Sequence, residues 1–164
     1  MSNPQTSAPV DCSDDARVAL LLQETVVTAM ETMAFFCTEP ASTSALSPED
    51  AVRVSMNFSG SVSGTVELVA GGFFGNRLAS NALGCGPTDE EACSQSADSI
   101  RELLNVVVGM MMPHLAQHEG ELFSLSLPIE KPFEESEWEA FVQSANVAIL
   151  DAEGETIALR LIRA

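Results

Sequence analysis

The sequence predicts an α+β fold, an antiparallel or mixed β-sheet packed against α-helices. Three observations point there. Residues 14–36 and 98–112 space their apolar side chains three and four apart, as one buried helical face requires. Val52, Val54, Met56 and Phe58 alternate with Arg53, Ser55 and Asn57, the period of a strand with one buried face. Apolar alternation returns only late in the chain, so the order is α-β-β-α-α-β-β-β, with strands grouped rather than interleaved with helices.

Residues 1–12 lack apolar periodicity and read as a disordered tail, and the folded domain is expected to span 13–164. Ser13 or Asp14 can cap a helix whose apolar positions are Val18, Leu22, Val26, Ala29, Met33 and Phe36, and which stops before Pro40. Residues 38–49, rich in Thr, Ser, Pro and Ala, read as a connector. The strand at 52–58 and a second at Thr65–Ala70 form a hairpin, with Gly60 and Gly64 bracketing a turn that needs positive backbone dihedrals. The two glycines lie between strands instead of before a helix, so a phosphate-cradling loop is not indicated.

Residues 73–83 read as a short helix ended by Gly84. Thr88 and Glu91 make a capping-box pattern that opens the central helix or a short helix leading into it. Pro113 lacks a donor for the Gly109 carbonyl and is expected to kink or thin that helix. Phe123, Leu125 and Leu127 then predict a third strand ending at Pro128, followed by a loop or irregular edge at Glu130–Trp138. Ala145, Val147 and Ile149 are expected to pair with Ile157, Leu159 and Leu161 across a turn at Asp151–Gly154. The sequence contains no internal repeat.

A chain of 164 residues and 17.4 kDa is long enough to bury one core. With 24 acidic against seven basic residues, its net charge of −17 argues against binding nucleic acid or acidic lipid and favours solubility. Cys12, Cys37, Cys85 and Cys93 form no C-x-x-C pair or zinc spacing, so reduced thiols are expected. No signal pattern or membrane-length apolar run is present, and the expected location is cytoplasmic.

The central helix carries the chemistry. At helical spacing Asp98, Glu102, Asn105, Gly109 and Met112 share a stripe, while Ile100, Leu103, Leu104, Val107 and Met111 cover the anchoring faces. Glu102 and Asn105 thus stand side by side as a carboxylate and a carboxamide. Asn is a mediocre helix former, which argues that position 105 has a duty beyond solvation. His114 and His118 stand four apart but have no third ligand in pattern, so they read as a solvent-facing pair and no metal site is expected. At least two of Met110, Met111 and Met112 should pack in the core. No nucleophile elbow supports a hydrolytic triad.

The spacing resembles the CheC/CheX/FliY family of receiver phosphatases, whose motif is Asp or Ser, three residues, Glu, two residues, Asn, then 22 residues and Pro. Asp98, Glu102 and Asn105 match it, and the 22 residues from Val106 to Leu127 lead to Pro128. The likeness extends to Glu31–Phe36, Phe58–Gly60, Gly64–Leu68 and Leu78–Gly84, and a single motif copy is most similar to CheX. The resemblance implies a single-domain CheX/CheC-like fold. It also implies a hydrolase that removes the aspartyl phosphate of a CheY-like response-regulator receiver in chemotaxis or related two-component signalling.

On a receiver, the divalent cation and a lysine are already present, so a visiting protein need supply only positioning and modest electrostatics. No cofactor is expected on this chain, and Mg2+ is expected on the receiver. A carboxamide offers both donor and acceptor without charge, which suits Asn105 to holding water beside an anionic phosphoryl group. Glu102 would pair with the receiver's lysine and so anchor the helix. Asp98 can orient the helix, pair with Arg101 or contact the partner. Pro128 reads as structural, stopping a strand near the site. The resemblance also implies a homodimer with one site per subunit. The alternatives are a non-catalytic receiver-binding adaptor or flagellar-switch-type module of the same fold, and an unrelated small-ligand-binding domain.

Overall fold

A computed structural model describes residues 8–11, 13–34 and 36–164. The expected tail at 1–12 lies largely outside them. Of its described part, Val10 donates its N–H to the His114 carbonyl at 2.7 Å and packs on the core.

Helix α1 (Asp15–Ala34) is capped by Asp14, whose Oδ1 accepts the Arg17 N–H at 3.2 Å. It buries Val18, Leu21, Leu22, Val26, Ala29 and Met30. Strand β1 (Thr38–Pro40) follows, in the stretch read as a connector. Three residues are too few to show a period, and only pairing with a distant strand defines them. Strands β2 (Val52–Ser59) and β3 (Ser63–Ala70) form the expected hairpin. Its glycines serve closeness rather than positive dihedrals, since neither Gly60 nor Gly64 has positive φ. A Cβ on Gly60 would meet the Phe123 ring at 2.7 Å, and one on Gly64 the Ile162 carbonyl at 2.6 Å.

Helix α2 (Gly72–Leu83) ends at Gly84, whose φ of 71° is the left-handed cap expected there. The central helix is one continuous element, α3 (Glu90–Leu115). The Thr88/Glu91 capping box does not form. Asp89 takes the N-cap position and turns its carboxylate back to accept the Gly86 N–H at 2.8 Å. Pro113 sits in the last turn, where it removes only the bond to the Gly109 carbonyl, and the helix continues to Leu115.

The third strand is broken. β4 (Ser124–Leu125) and β5 (Ile129–Pro132) both pair with β2, and Leu125, Leu127 and Ile129 are exposed. The segment 130–138 is more regular than a loop, because β5 is followed by a short 3-10 helix (Glu135–Glu137) and α4 (Trp138–Val142). Strands β6 (Val147–Ala152) and β7 (Glu155–Arg163) close the chain through a two-residue turn in which Glu153 and Gly154 both have positive φ. Their register is one residue from expectation. Leu150 and Ala148, not Ile149 and Val147, stand opposite Ile157 and Leu159.

All pairings are antiparallel, and the sheet runs β1-β6-β7-β3-β2, with β4 and β5 in succession along the outer edge of β2. Its two faces are both covered. Val66, Leu68, Ala70, Leu150 and Leu159 pack under α1, α2 and α3, while Val69, Ile149 and Ala158 pack with Phe133, Trp138 and Phe141. On that second side the nearly buried Glu67 accepts a 2.8 Å hydrogen bond from Arg160, whose guanidinium lies over the Phe141 ring. Double coverage explains the register error, since alternation cannot choose a face when both are apolar. Although the sequence has no repeat, the topology has a two-part plan. Each half supplies a helix, an edge strand and a hairpin, and each edge strand pairs with the other half's hairpin around the central β3–β7 pair.

Candidate functional site

Helix α3 buries Ile100, Leu103, Leu104, Val107, Val108 and Met111 against the sheet and the other helices. Asp98, Glu102, Asn105 and Gly109 are consequently exposed along the opposite stripe. Met112 departs from that stripe and is buried, because the helix end tucks under the loop that follows it. Met111 joins it in the core, and Met110 is half-buried.

The Asn105 Nδ2 donates a long hydrogen bond to Glu102 Oε2, at 3.5 Å. Both head groups are exposed, so each remains free to engage something outside the chain. Of the three roles open to Asp98, pairing with Arg101 is the one formed within the molecule. The Asp98 carboxylate raises the Arg101 pKa above the ordinary arginine value. Arg101 Nη1 also lies 3.7 Å from Glu130 Oε2 on β5, so one guanidinium ties the start of the motif to the strand that follows Pro128. Glu130 was not foreseen, although its position two residues after Pro128 was a signal.

Asp98, Arg101, Glu102, Asn105, Leu127 and Pro128 together line one surface groove of about 510 Å³. Pro128 reaches it because β5 pairs with β2, which packs against α3. The long spacing in sequence thus closes into a local arrangement. Farther along α3 lies a second, mainly apolar hollow of about 650 Å³, with Gly109, Met112, Leu122, Phe123 and Leu125 in its wall. Its loop is held by Glu121, whose carboxylate accepts Ser61 Oγ and Gln117 N, each at 2.8 Å, as well as Ser61 N at 2.5 Å. These Ser61 bonds pull the Glu121 pKa down from 4.5 to about 2.

No family model and no curated protein matches the chain. Solved structures do. A chemotaxis protein of Desulfovibrio vulgaris Hildenborough aligns over 90% of this chain and 96% of its own at 15% identity, with a TM-score of 0.65. CheX of Vibrio vulnificus aligns over 90% and 99% at 15% identity, also with a TM-score of 0.65. The fold is that of CheX. A CheX–CheY–BeF3–Mg2+ complex from Borrelia burgdorferi aligns over 88% and 96% at 17% identity, with a TM-score of 0.61. CheC-like and FliY structures share this CheX-like architecture.

Among the described residues, no helix is long and apolar enough to cross a membrane, and no group of three or more His, Cys, Asp and Glu side chains is arranged to hold a metal. His114 and His118 are both exposed.

Proposed function

We propose that this CheX-like protein is a phosphatase for the aspartyl phosphate of a CheY-like receiver, resetting a chemotaxis or related two-component signal. The convergence of Glu102, Asn105 and Pro128 on one groove carries this reading. The CheX–CheY complex of the same fold supports the choice of partner.

The groove contains no nucleophile, and none is needed. Asn105 orients a water in line with the phosphorus by accepting from it and donating to a phosphoryl oxygen. The water oxygen bonds to phosphorus as the aspartyl oxygen–phosphorus bond breaks. Inorganic phosphate and a free carboxylate result, and the water's proton leaves with phosphate or solvent. Glu102 pairs with the receiver's lysine, placing α3 so that Asn105 reaches the phosphoryl group. Asp98 acts through Arg101, holding it toward Glu130 and β5. Pro128 shapes the groove wall. Mg2+ belongs to the receiver. A homodimer with one groove per subunit is the expected assembly, and cytoplasmic placement follows from a receiver substrate.

The test is decay of phosphoryl label on CheY-like receivers with magnesium, comparing no addition, wild type and Asn105→Ala. Wild type should accelerate decay and Asn105→Ala should not. Phosphorylation-dependent binding without faster decay would refute catalysis and replace it with the adaptor reading.

A further inference from the structure

The apolar strip beside the groove has no intramolecular explanation. Leu122 is 90% exposed and Leu127 83%, and Leu125 is exposed between them. Residues 122–129, Leu-Phe-Ser-Leu-Ser-Leu-Pro-Ile, include no charged side chain in a chain of net charge −17. Uncharged aliphatic groups along a sheet edge invite association, which proteins ordinarily suppress there with charge. The strip is continuous with the candidate site, because Leu127 walls the Glu102/Asn105 groove while Leu122 and Leu125 wall the hollow beyond it.

Gly109 supplies an independent observation. It lies well inside α3, where glycine is costly, one turn beyond Asn105 on the same exposed stripe. A Cβ built there meets nothing within 4 Å, so packing within the chain does not demand a glycine. Pro113 also gives the Gly109 carbonyl no i+4 donor. Helix α3 is therefore bare of side chain at this point and has a main-chain acceptor to spare.

We infer that the receiver docks along a track running from Glu102 and Asn105 over Gly109, with Leu127, Leu125 and Leu122 as its apolar wall. This rests on the phosphatase reading and specifies how that partner is held. Gly109 lets the receiver's backbone approach α3 closely, and the leucines supply uncharged apolar contact on a chain of net charge −17. A second copy is the poorer occupant. Seated on Leu127 it would cover Asn105, and it would bring another net charge of −17 against the first. The expected homodimer then uses another face.

The experiment uses the CheY-like receiver whose phosphate the wild type removes fastest, and it separates kcat from KM for Leu127→Asp, Gly109→Gln and a remote control, Leu46→Ser, itself exposed. Leu127→Asp should raise KM roughly tenfold or more, as loss of one buried leucine contact implies, and Gly109→Gln should raise KM by holding the receiver off α3, with its kcat within about twofold. Gly109→Gln should melt ~1–3 °C above wild type, separating lost docking from lost folding. Leu46→Ser should match wild type. If wild type accelerates decay and both track variants keep its KM, the docking track is wrong while the phosphatase reading stands. If no receiver is bound or dephosphorylated, both fail. If Leu127→Asp turns a dimer into monomer on sedimentation with KM unchanged, the strip is a self-association surface and the inference is overturned.

Discussion

Two glycines on neighbouring helices should respond oppositely to the same substitution. Gly75 on α2 faces α3 at close range. An added Cβ would strike the Ser96 hydroxyl and come within 2.8 Å of Ile100 Cδ1 and 3.0 Å of the Ser96 carbonyl. The hydroxyl can rotate away, but only by giving up its 3.1 Å bond to the Gly72 carbonyl, worth about 1 kcal/mol. The Ser96 carbonyl moves only if α3 moves, an overpacking cost of about 1–3 kcal/mol. Against this stands a gain of ~0.5–1 kcal/mol from replacing a helical glycine. Gly75→Ala should therefore destabilise by about 1–3 kcal/mol and lower Tm by ~3–10 °C. At Gly109, with no neighbour to strike, only the propensity gain operates, and Gly109→Ala should raise Tm by ~1–4 °C. Urea and thermal unfolding of the two variants beside wild type measure both effects. A Gly75→Ala protein melting at or above wild type would show that α2 and α3 do not pack this closely. The placement of α3, and of Asn105 on it, would then have to be revised.

Two further outcomes follow from the charged side chains around the site. Glu121 has a folded pKa near 2 against an ordinary 4.5, so its contribution is complete above 4.5 and disappears as pH falls through 2. Glu121→Gln should flatten the stability profile in that window, and a variant profile parallel to wild type would refute the Ser61 clamp. Arg101→Ala should cost only about 0.5–1 kcal/mol in urea unfolding, because its side chain is 38% exposed and that of Asp98 is more so. The difference should shrink at ~1 M salt, where exposed pairs are screened. A loss well above ~2 kcal/mol would mean that Arg101 supports Glu130 in a much drier setting.

Helix α1, the β2–β3 hairpin and α3 were legible in the sequence because each is long, amphipathic and periodic. Residues 14–34, 52–70 and 98–112 state their own period without help from elsewhere. Strands β1 and β5 were not, since three or four residues show no period and exist only through pairing with β6 or β2, and the third strand expected up to Pro128 forms only as the two residues of β4. Helix α4 was hidden for a related reason. Its Trp138, Phe141 and Val142 form a short run whose burial depends on a second core across the sheet.

The candidate site divides along the same line. Helical geometry alone places Asp98, Glu102, Asn105 and Gly109 on one stripe, and the apolar residues between them decide that this stripe faces outward. Which distant residues meet it was a matter for the tertiary structure. Pro128, Leu127 and Glu130 reach the groove because β5 pairs with β2 beside α3, a contact between segments far apart in the chain. A periodic segment carries its own local geometry, whereas the closure of a long loop is set by pairing and burial that no single stretch of sequence contains.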